Sequence, residues 1–147
     1  MLKAGNTQYI DRPIAEVFEY VADQTKTTSW CLGMTECRLT TNAGMQNGAK
    51  RHIEVKSPLV TSSWDFELKK IEPNKLIIWS DMEAAIPLID TYTFEEKNGG
   101  TEFSHYNEYG NLPMYLRLLK PLFLAKANKT IKKDILALKK LLENDSS

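Results

Sequence analysis

Few side chains in this chain are suited to moving a proton, holding a metal or attacking a carbonyl: two histidines, two cysteines and scattered carboxylates. His105 stands in TEFSHYNEY, residues 101–109. Alternation there places it with Phe103, Asn107 and Tyr109 on one strand face, and Phe103 marks that face as inward. By the same parity the preceding strand presents Asp90 with Tyr92 and Phe94. A carboxylate beside an imidazole orients it and stabilises its charged form, as general acid–base chemistry requires. His105 and Asp90 are therefore the candidate catalytic residues. The plainer alternative is that these polar groups sit near strand ends, wet or bonded to one another, and nothing identifies a nucleophile.

His52, in KRHIEVK, lies on the face opposite Ile53 and Val55, the side expected to meet solvent. Two isolated histidines without nearby cysteine or clustered carboxylates fall short of a zinc ligand set, and no Asp/Asn loop offers a calcium site, so no metal is expected. Cys31 and Cys37 lack a CxxC or His-spaced partner and read as small, partly buried side chains. GMQNGAKR, residues 44–51, has neither the spacing nor the strand-to-helix setting of a phosphate loop, and no cofactor is expected.

The elements that must position these groups follow from periodicity. A short strand over residues 3–10 leads to Asp11, a candidate capping group, and to Pro13 at the start of a helix. Ile14, Val17, Phe18 and Val21 form one apolar stripe, and Thr25, Thr27, Thr28 and Ser29 weaken continuation before Trp30. From Met34 to Tyr109 period two dominates. TSSWDFELKKI sets Trp64, Phe66 and Leu68 against Ser63, Asp65, Glu67 and Lys69, the mark of a one-sided antiparallel sheet. Pro73-Asn74 and Asn98-Gly99-Gly100 supply turns, with both glycines of the second expected to use positive backbone angles. From Leu112 to Glu143 helical spacing returns through Leu124, Ala127, Ile131, Ile135, Leu138 and Leu142, with Pro121 predicted to kink or divide the helix. The helix stripe and the apolar sheet face should cover each other, the helix crossing the strands that carry Trp64, Phe66, Leu68, Tyr92 and Phe94.

With 147 residues, 42% hydrophobic, 26% charged and no net charge, the chain has the composition of a soluble globular domain. A single domain over residues 1–147 is expected. No segment is long and apolar enough for a transmembrane span, and the N-terminus lacks the apolar run of a secretion signal, so a cytoplasmic location is expected. The charge is uneven: residues 1–111 carry 11 basic and 16 acidic side chains, residues 112–147 carry 8 and 3. Lys126, Lys129, Lys132, Lys133, Lys139 and Lys140 could face an anionic surface. A solvated helix face is the simpler reading, and no aromatics interleave as nucleic-acid binding would prefer, so no nucleic acid is expected.

The order of elements, with IDRPIAEVFEYVAD followed by Trp30, GMQNGAKR, WDFELKKIEPNKLIIW, YTFEEKNGGTEFS and the long final helix, resembles the START-like superfamily, in its SRPBCC branch of polyketide cyclases/dehydrases and lipid-transport proteins. The resemblance implies an α+β helix-grip fold. A curved antiparallel sheet of about six or seven strands would wrap a long C-terminal helix, and two short helices after the first strand, the second near Thr25–Trp30, would plug one end. It also implies a cavity between sheet and helix for an apolar or amphipathic small molecule, lipid or polyketide-like. Trp64, Phe66, Tyr92, Phe94, Phe103, His105, Asn107 and Tyr109 would be its ligand-binding residues. Two alternatives stand beside this: a cyclase/dehydratase-type enzyme using His105 in proton transfer, and a protein-interaction module with a protein partner at an exposed MEAAIPL segment, Met82–Leu88.

Overall fold

A computed structural model describes residues 1–56 and 61–144. Strand β1 (Leu2–Ile10) leads into helix α1 (Ile14–Ala22) and a single 3-10 turn at Thr27–Ser29. Six strands follow, β2 (Met34–Leu39), β3 (Lys50–Lys56), β4 (Thr61–Glu72), β5 (Leu76–Asp81), β6 (Leu88–Lys97) and β7 (Gly100–Tyr109). Helices α2 (Met114–Leu118) and α3 (Lys120–Asn144) close the described chain. The seven strands form one antiparallel sheet in the order β1-β7-β6-β5-β4-β3-β2. It is a meander from β2 to β7 with β1 laid beside the last strand.

Alternation fixes the buried face. Phe66 and Leu68 on β4, Ile77 and Trp79 on β5, Tyr92 and Phe94 on β6, and Phe103 on β7 are all buried. An irregularity between Leu68 and Lys70 shifts the β4–β5 register, and a bulge of this kind adds the local twist that curves a sheet. Val17, Phe18 and Val21 of α1 are buried, and Phe18 meets Phe94 edge-on with ring centroids 5.1 Å apart. The short helix thus seals one end of the core. Trp30, fully buried, closes the corner behind it.

The helix α3 buries Ile131, Ile135, Leu138 and Leu142, together with Asp134. Its backbone runs nearest to β1, while its buried side chains join the same core as Phe66, Leu68, Tyr92 and Phe94. Asn128 Oδ1 accepts the Gly5 amide at 2.8 Å, and Lys139 Nζ donates to the Tyr9 carbonyl at 2.5 Å. Glu143 Oε2 accepts the Asp11 amide at 2.9 Å. Polar side chains of α3 therefore satisfy backbone groups of β1 and of the turn beyond it, which protects an edge strand from pairing with another chain.

Two local expectations are corrected. Pro13, not Asp11, is the N-cap of α1, and no side chain caps that helix; the Asp11 amide is instead held by Glu143. In the β6–β7 hairpin Asn98 and Gly99 carry the positive φ values, 53° and 80°, as a two-residue mirror-image turn requires. Gly100 is already in β7 and is needed for a different reason. A Cβ there would overlap the Tyr9 hydroxyl and lie 2.8 Å from the Ile10 carbonyl oxygen. The tail divides at Leu119, one residue before α3 begins, with Pro121 in the first turn where its missing N–H is harmless.

Candidate functional site

Register brings the polar residues together. Tyr92 pairs directly with His105 and Asp90 with Asn107 across β6–β7, which leaves Asp90 diagonal to His105. On the other side Trp79 pairs with Asp90, Leu68 with Trp79 and Arg51 with Phe66. Inward-facing side chains from β3 to β7 thus converge on one diagonal band of the sheet.

Asp90 is the hub. His105 Nε2 contacts its Oδ1. Arg51 Nη2 and Tyr92 Oη both donate to its Oδ2, each at 2.9 Å. Arg51 Nη1 donates to Gln24 Oε1 at 2.8 Å, and the Cys37 thiol reaches the same oxygen at 3.5 Å. The Arg51 guanidinium lies 4.4 Å from the Trp79 ring centre and 4.9 Å from that of Phe66, a cation–π clamp. Tyr92 stacks on His105 with centroids 4.4 Å apart, and Trp30 meets the same imidazole edge-on at 6.4 Å.

Arg51 and Asp90 form an ion pair with side chains 1% and 7% exposed. Burial by itself would push the Asp90 carboxyl up. The His105 and Arg51 charges, with hydrogen bonds from His105 and Tyr92, outweigh it and hold the carboxyl below its usual range. Burial, then the Asp90 charge, drives the Tyr92 phenol well above its ordinary value, so it stays a neutral donor. Burial likewise raises the Cys31 thiol well above its ordinary value, which makes it a poor nucleophile. Across the core, Asp134 Oδ1 accepts the Leu32 amide at 3.1 Å, and burial lifts its carboxyl to about 6.

Among the described residues, several nitrogens of the band have no hydrogen-bond partner: Trp30 Nε1, Trp79 Nε1, Arg51 Nε and His105 Nδ1. The first three can only donate. Buried polar atoms are normally paired, so this concentration of unmatched donors on one network calls for acceptors.

The residues read from sequence divide. Tyr92, Phe94, Phe103 and His105 are buried and in ring contact, and Phe66 is buried beside Arg51. Trp64 is half-buried and its indole donates to the Ile86 carbonyl at 3.0 Å. Asn107 and Tyr109 are half-buried and bonded to each other at 3.2 Å, and Tyr109 packs on Phe123 of α3. Asn107 stands directly across from Asp90 in the β6–β7 register and Tyr109 opposite Leu88, but the side-chain bond of Asn107 runs to Tyr109. Arg51 and Gln24, central to the network, escaped the sequence reading. The signal for Arg51 was its parity: it shares a strand face with Ile53 and Val55.

Two surface depressions frame the core. One, about 280 Å³, is lined by residues including Ala22, Gln24, Cys37, Leu39 and Met45. Its wall therefore includes Gln24 and Cys37, the outermost members of the Arg51 network. The other, about 490 Å³, is lined by residues including Leu2, Tyr109, Leu112 and Arg117.

On the outer face, His52 is better occupied than its sequence setting suggested. Its Nδ1 lies 2.8 Å from Asp65 and its Nε2 3.2 Å from Glu54, with Glu36 at 3.9 Å. The Asp65 hydrogen bond is the main cause of its raised pKa. Ligand atoms of Glu36, His52 and Glu54 lie within 4.8 Å of one another, so clustered carboxylates do stand beside this histidine. Arg38 bonds Glu36 at 2.8 Å, and the group reads as an ion-pair network.

A curved seven-stranded antiparallel sheet with a long C-terminal helix and a buried polar band defines an α+β protein of the helix-grip kind. The family described as polyketide cyclase / dehydrase and lipid transport matches residues 1–143, and the chain belongs to it. Among solved structures, protein TTHA0849 from Thermus thermophilus is similar with a TM-score of 0.85 at 15% identity, over 99% of this chain and 100% of that one. Protein DR_A0006 from Deinococcus radiodurans gives 0.73 at 19% identity over 99% of both chains. The Aha1 dimer from Colwellia psychrerythraea gives 0.68 at 16% identity over 100% of both chains. At such identities the likeness is one of fold. No curated protein matches the sequence. Among the described residues no helix is long and apolar enough to cross a membrane.

Proposed function

We propose that this chain is a binding protein for an apolar or amphipathic small molecule, lipid or polyketide-like, whose polar end carries hydrogen-bond acceptors such as a carbonyl or carboxylate. The observation that carries this reading is the buried Gln24–Arg51–Asp90–His105–Tyr92 network with its unmatched donors. Stability alone does not call for it. Desolvating an ion pair costs several kcal/mol per ion, and well-packed apolar residues of the same volume are often as stable or more so. A network that recognises a polar group has a use for those donors; a purely structural core does not. The depression beside Gln24 and Cys37 supplies the way in, with Gln24 as the side chain a ligand must displace.

The reading is tested by thermal shift over fatty acids, sterols and aromatic polyketide-like compounds, each acid paired with its neutral hydrocarbon counterpart. A true ligand at a hundred times its dissociation constant adds about 2.7 kcal/mol to stability. Acids should outperform hydrocarbons in the native protein, and the advantage should vanish in Arg51→Met. Equal responses to both would remove the polar network from the account.

A second reading rests on the Asp90–His105 contact. With Nε2 on the carboxylate, His105 Nδ1 is free to take a proton from a bound carbonyl compound while Asp90 stabilises the resulting imidazolium. This is the cyclase/dehydratase alternative. Binding that survives in His105→Gln while turnover is lost would favour it; no turnover in the native protein would leave binding alone.

A further inference from the structure

The segment Met114–Leu122 holds apolar side chains that the core does not use. Helix α2 buries none of its residues, and in α3 burial begins only at Ile131. Met114, Tyr115, Leu118, Leu119 and Leu122 are between 52% and 77% exposed. Their spacing of four repeats as 114, 118, 122 and as 115, 119, which gathers them into one stripe along a nearly continuous helix. Large side chains scattered singly on a surface need no explanation, but a contiguous set of five marks a contact surface.

The charge around the stripe names the occupant. Between Glu108 and Asp134 the sequence contains six Arg and Lys residues and no Asp or Glu. Arg117, Lys120, Lys126 and Lys129 are all exposed. Beside them lies the open groove of about 490 Å³, which includes Met1, Tyr109, Arg117 and Lys120 in its walls. A symmetric contact between two copies would place this cationic segment against itself, because the same patch faces itself across a two-fold axis. Single-stranded nucleic acid would call for stacked aromatics, and the stripe is mainly Leu and Met. An anionic bilayer surface satisfies both halves. Apolar side chains enter the boundary between headgroups and acyl chains, and cations at the same level pair with lipid phosphates and carboxylates.

We infer that α2 and the first turns of α3 dock the protein peripherally on anionic membranes, with Met114, Tyr115, Leu118, Leu119 and Leu122 inserted and Arg117, Lys120, Lys126 and Lys129 at the headgroups. The inference is separate from the ligand reading, since it concerns the outer surface and is read without any ligand present.

The test is co-sedimentation of the full chain with vesicles of phosphatidylcholine alone and of phosphatidylcholine carrying about one-third phosphatidylserine. Binding should appear with the anionic vesicles, weaken as salt is raised, and fall at least tenfold in the double variant Leu118→Asp/Leu122→Asp. These side chains are exposed, so the variant should keep the native melting temperature; Lys126→Glu/Lys129→Glu, a second exposed pair, should weaken binding to anionic vesicles only. Recovery of the native protein in the supernatant with both vesicle types overturns the inference. So does vesicle binding that ignores the leucine substitutions, and so does a native dimer in solution that Leu118→Asp dissociates, which would make the stripe a protein contact.

Discussion

Replacing Asp134 with asparagine should stabilise the protein at neutral pH and leave its stability in acid unchanged. Asp134 lies on the inward side of α3, 8% exposed, and its Oδ1 accepts the Leu32 amide at 3.1 Å. Burial lifts its pKa from 3.8 to about 6, against opposing pulls from the Leu32 hydrogen bond and the His105 and Lys133 charges. At 1.36 kcal/mol for each pH unit, that displacement is worth about 3 kcal/mol. The carboxyl in the folded protein holds its proton more tightly than in the unfolded chain. Between pH 3.8 and about 6 the folded state therefore binds more protons, and stability falls as pH rises through that window. The full cost is present above about 6 and absent below 3.8. Residual contact with water screens part of it, leaving about 1–2 kcal/mol. Asparagine keeps the acceptor for Leu32 and never ionises. At about 3 °C per kcal/mol for a chain of this length, Asp134→Asn should melt about 3–6 °C higher at neutral pH. Circular-dichroism melts of both proteins from about pH 4 to about pH 8 would show curves that meet in acid and diverge above the Asp134 pKa. Parallel curves, or a variant that melts lower at neutral pH, would refute the claim that a buried carboxylate strains this helix.

Other perturbations probe the rest of the architecture. Asp90→Ala leaves the Arg51 guanidinium buried without its carboxylate and should cost about 3–5 kcal/mol in urea unfolding, with much of the loss recovered on adding Arg51→Met. Because the Asp90 pKa is depressed, its stabilising contribution should be present above its unfolded value and disappear as pH falls through its folded one; a pH-independent difference between native and Asp90→Asn proteins would contradict this. Gly100→Ala should destabilise more than Gly99→Ala: the first meets Tyr9 and the Ile10 carbonyl, while the second carries the cost of a positive φ, about 1 kcal/mol, in open space. Equal melting points would show that Tyr9 yields easily. Ile131→Asp places a charge where Ile131 is 3% exposed and should cost several kcal/mol, on the order of an unpaired buried charge; an unchanged melting temperature would mean that α3 is not part of the core.

Period-two alternation was enough to put Tyr92, Phe94, Phe103 and His105 on one face and to set Asp90 among them, because side-chain direction along a strand follows parity and needs no knowledge of neighbours. What alternation omits is reach. Arg51 sits three strands away from Asp90, and its long side chain reaches the carboxylate by lying over the Phe66 and Trp79 rings of the strands between. Gln24 follows α1 in a stretch with no periodicity, so nothing local marked it. Asp134 carried a readable signal, lying between Ile131 and Ile135 and four residues before Leu138, within the stripe that faces the core. The apolar residues from Met114 to Leu122 fall outside the stripe that the spacing assigned to the core, and α2 buries none of its own. Hydrophobic spacing predicts a face, but not whether the sheet extends far enough to cover it; here burial on α3 starts only at Ile131. In MEAAIPL the proposed exposure is likewise mixed, with Met82 exposed and Leu88 buried.

The central claim is that the polar band between sheet and helix receives the acceptor end of a small molecule. Native mass spectrometry of the protein purified from its own host tests it most directly. The expected result is a stoichiometric adduct that contains a carbonyl or carboxylate, is released on unfolding, and is missing from Arg51→Met protein prepared in the same way. A bare polypeptide mass in the native sample, together with no stabilisation by any amphiphilic acid, would contradict it.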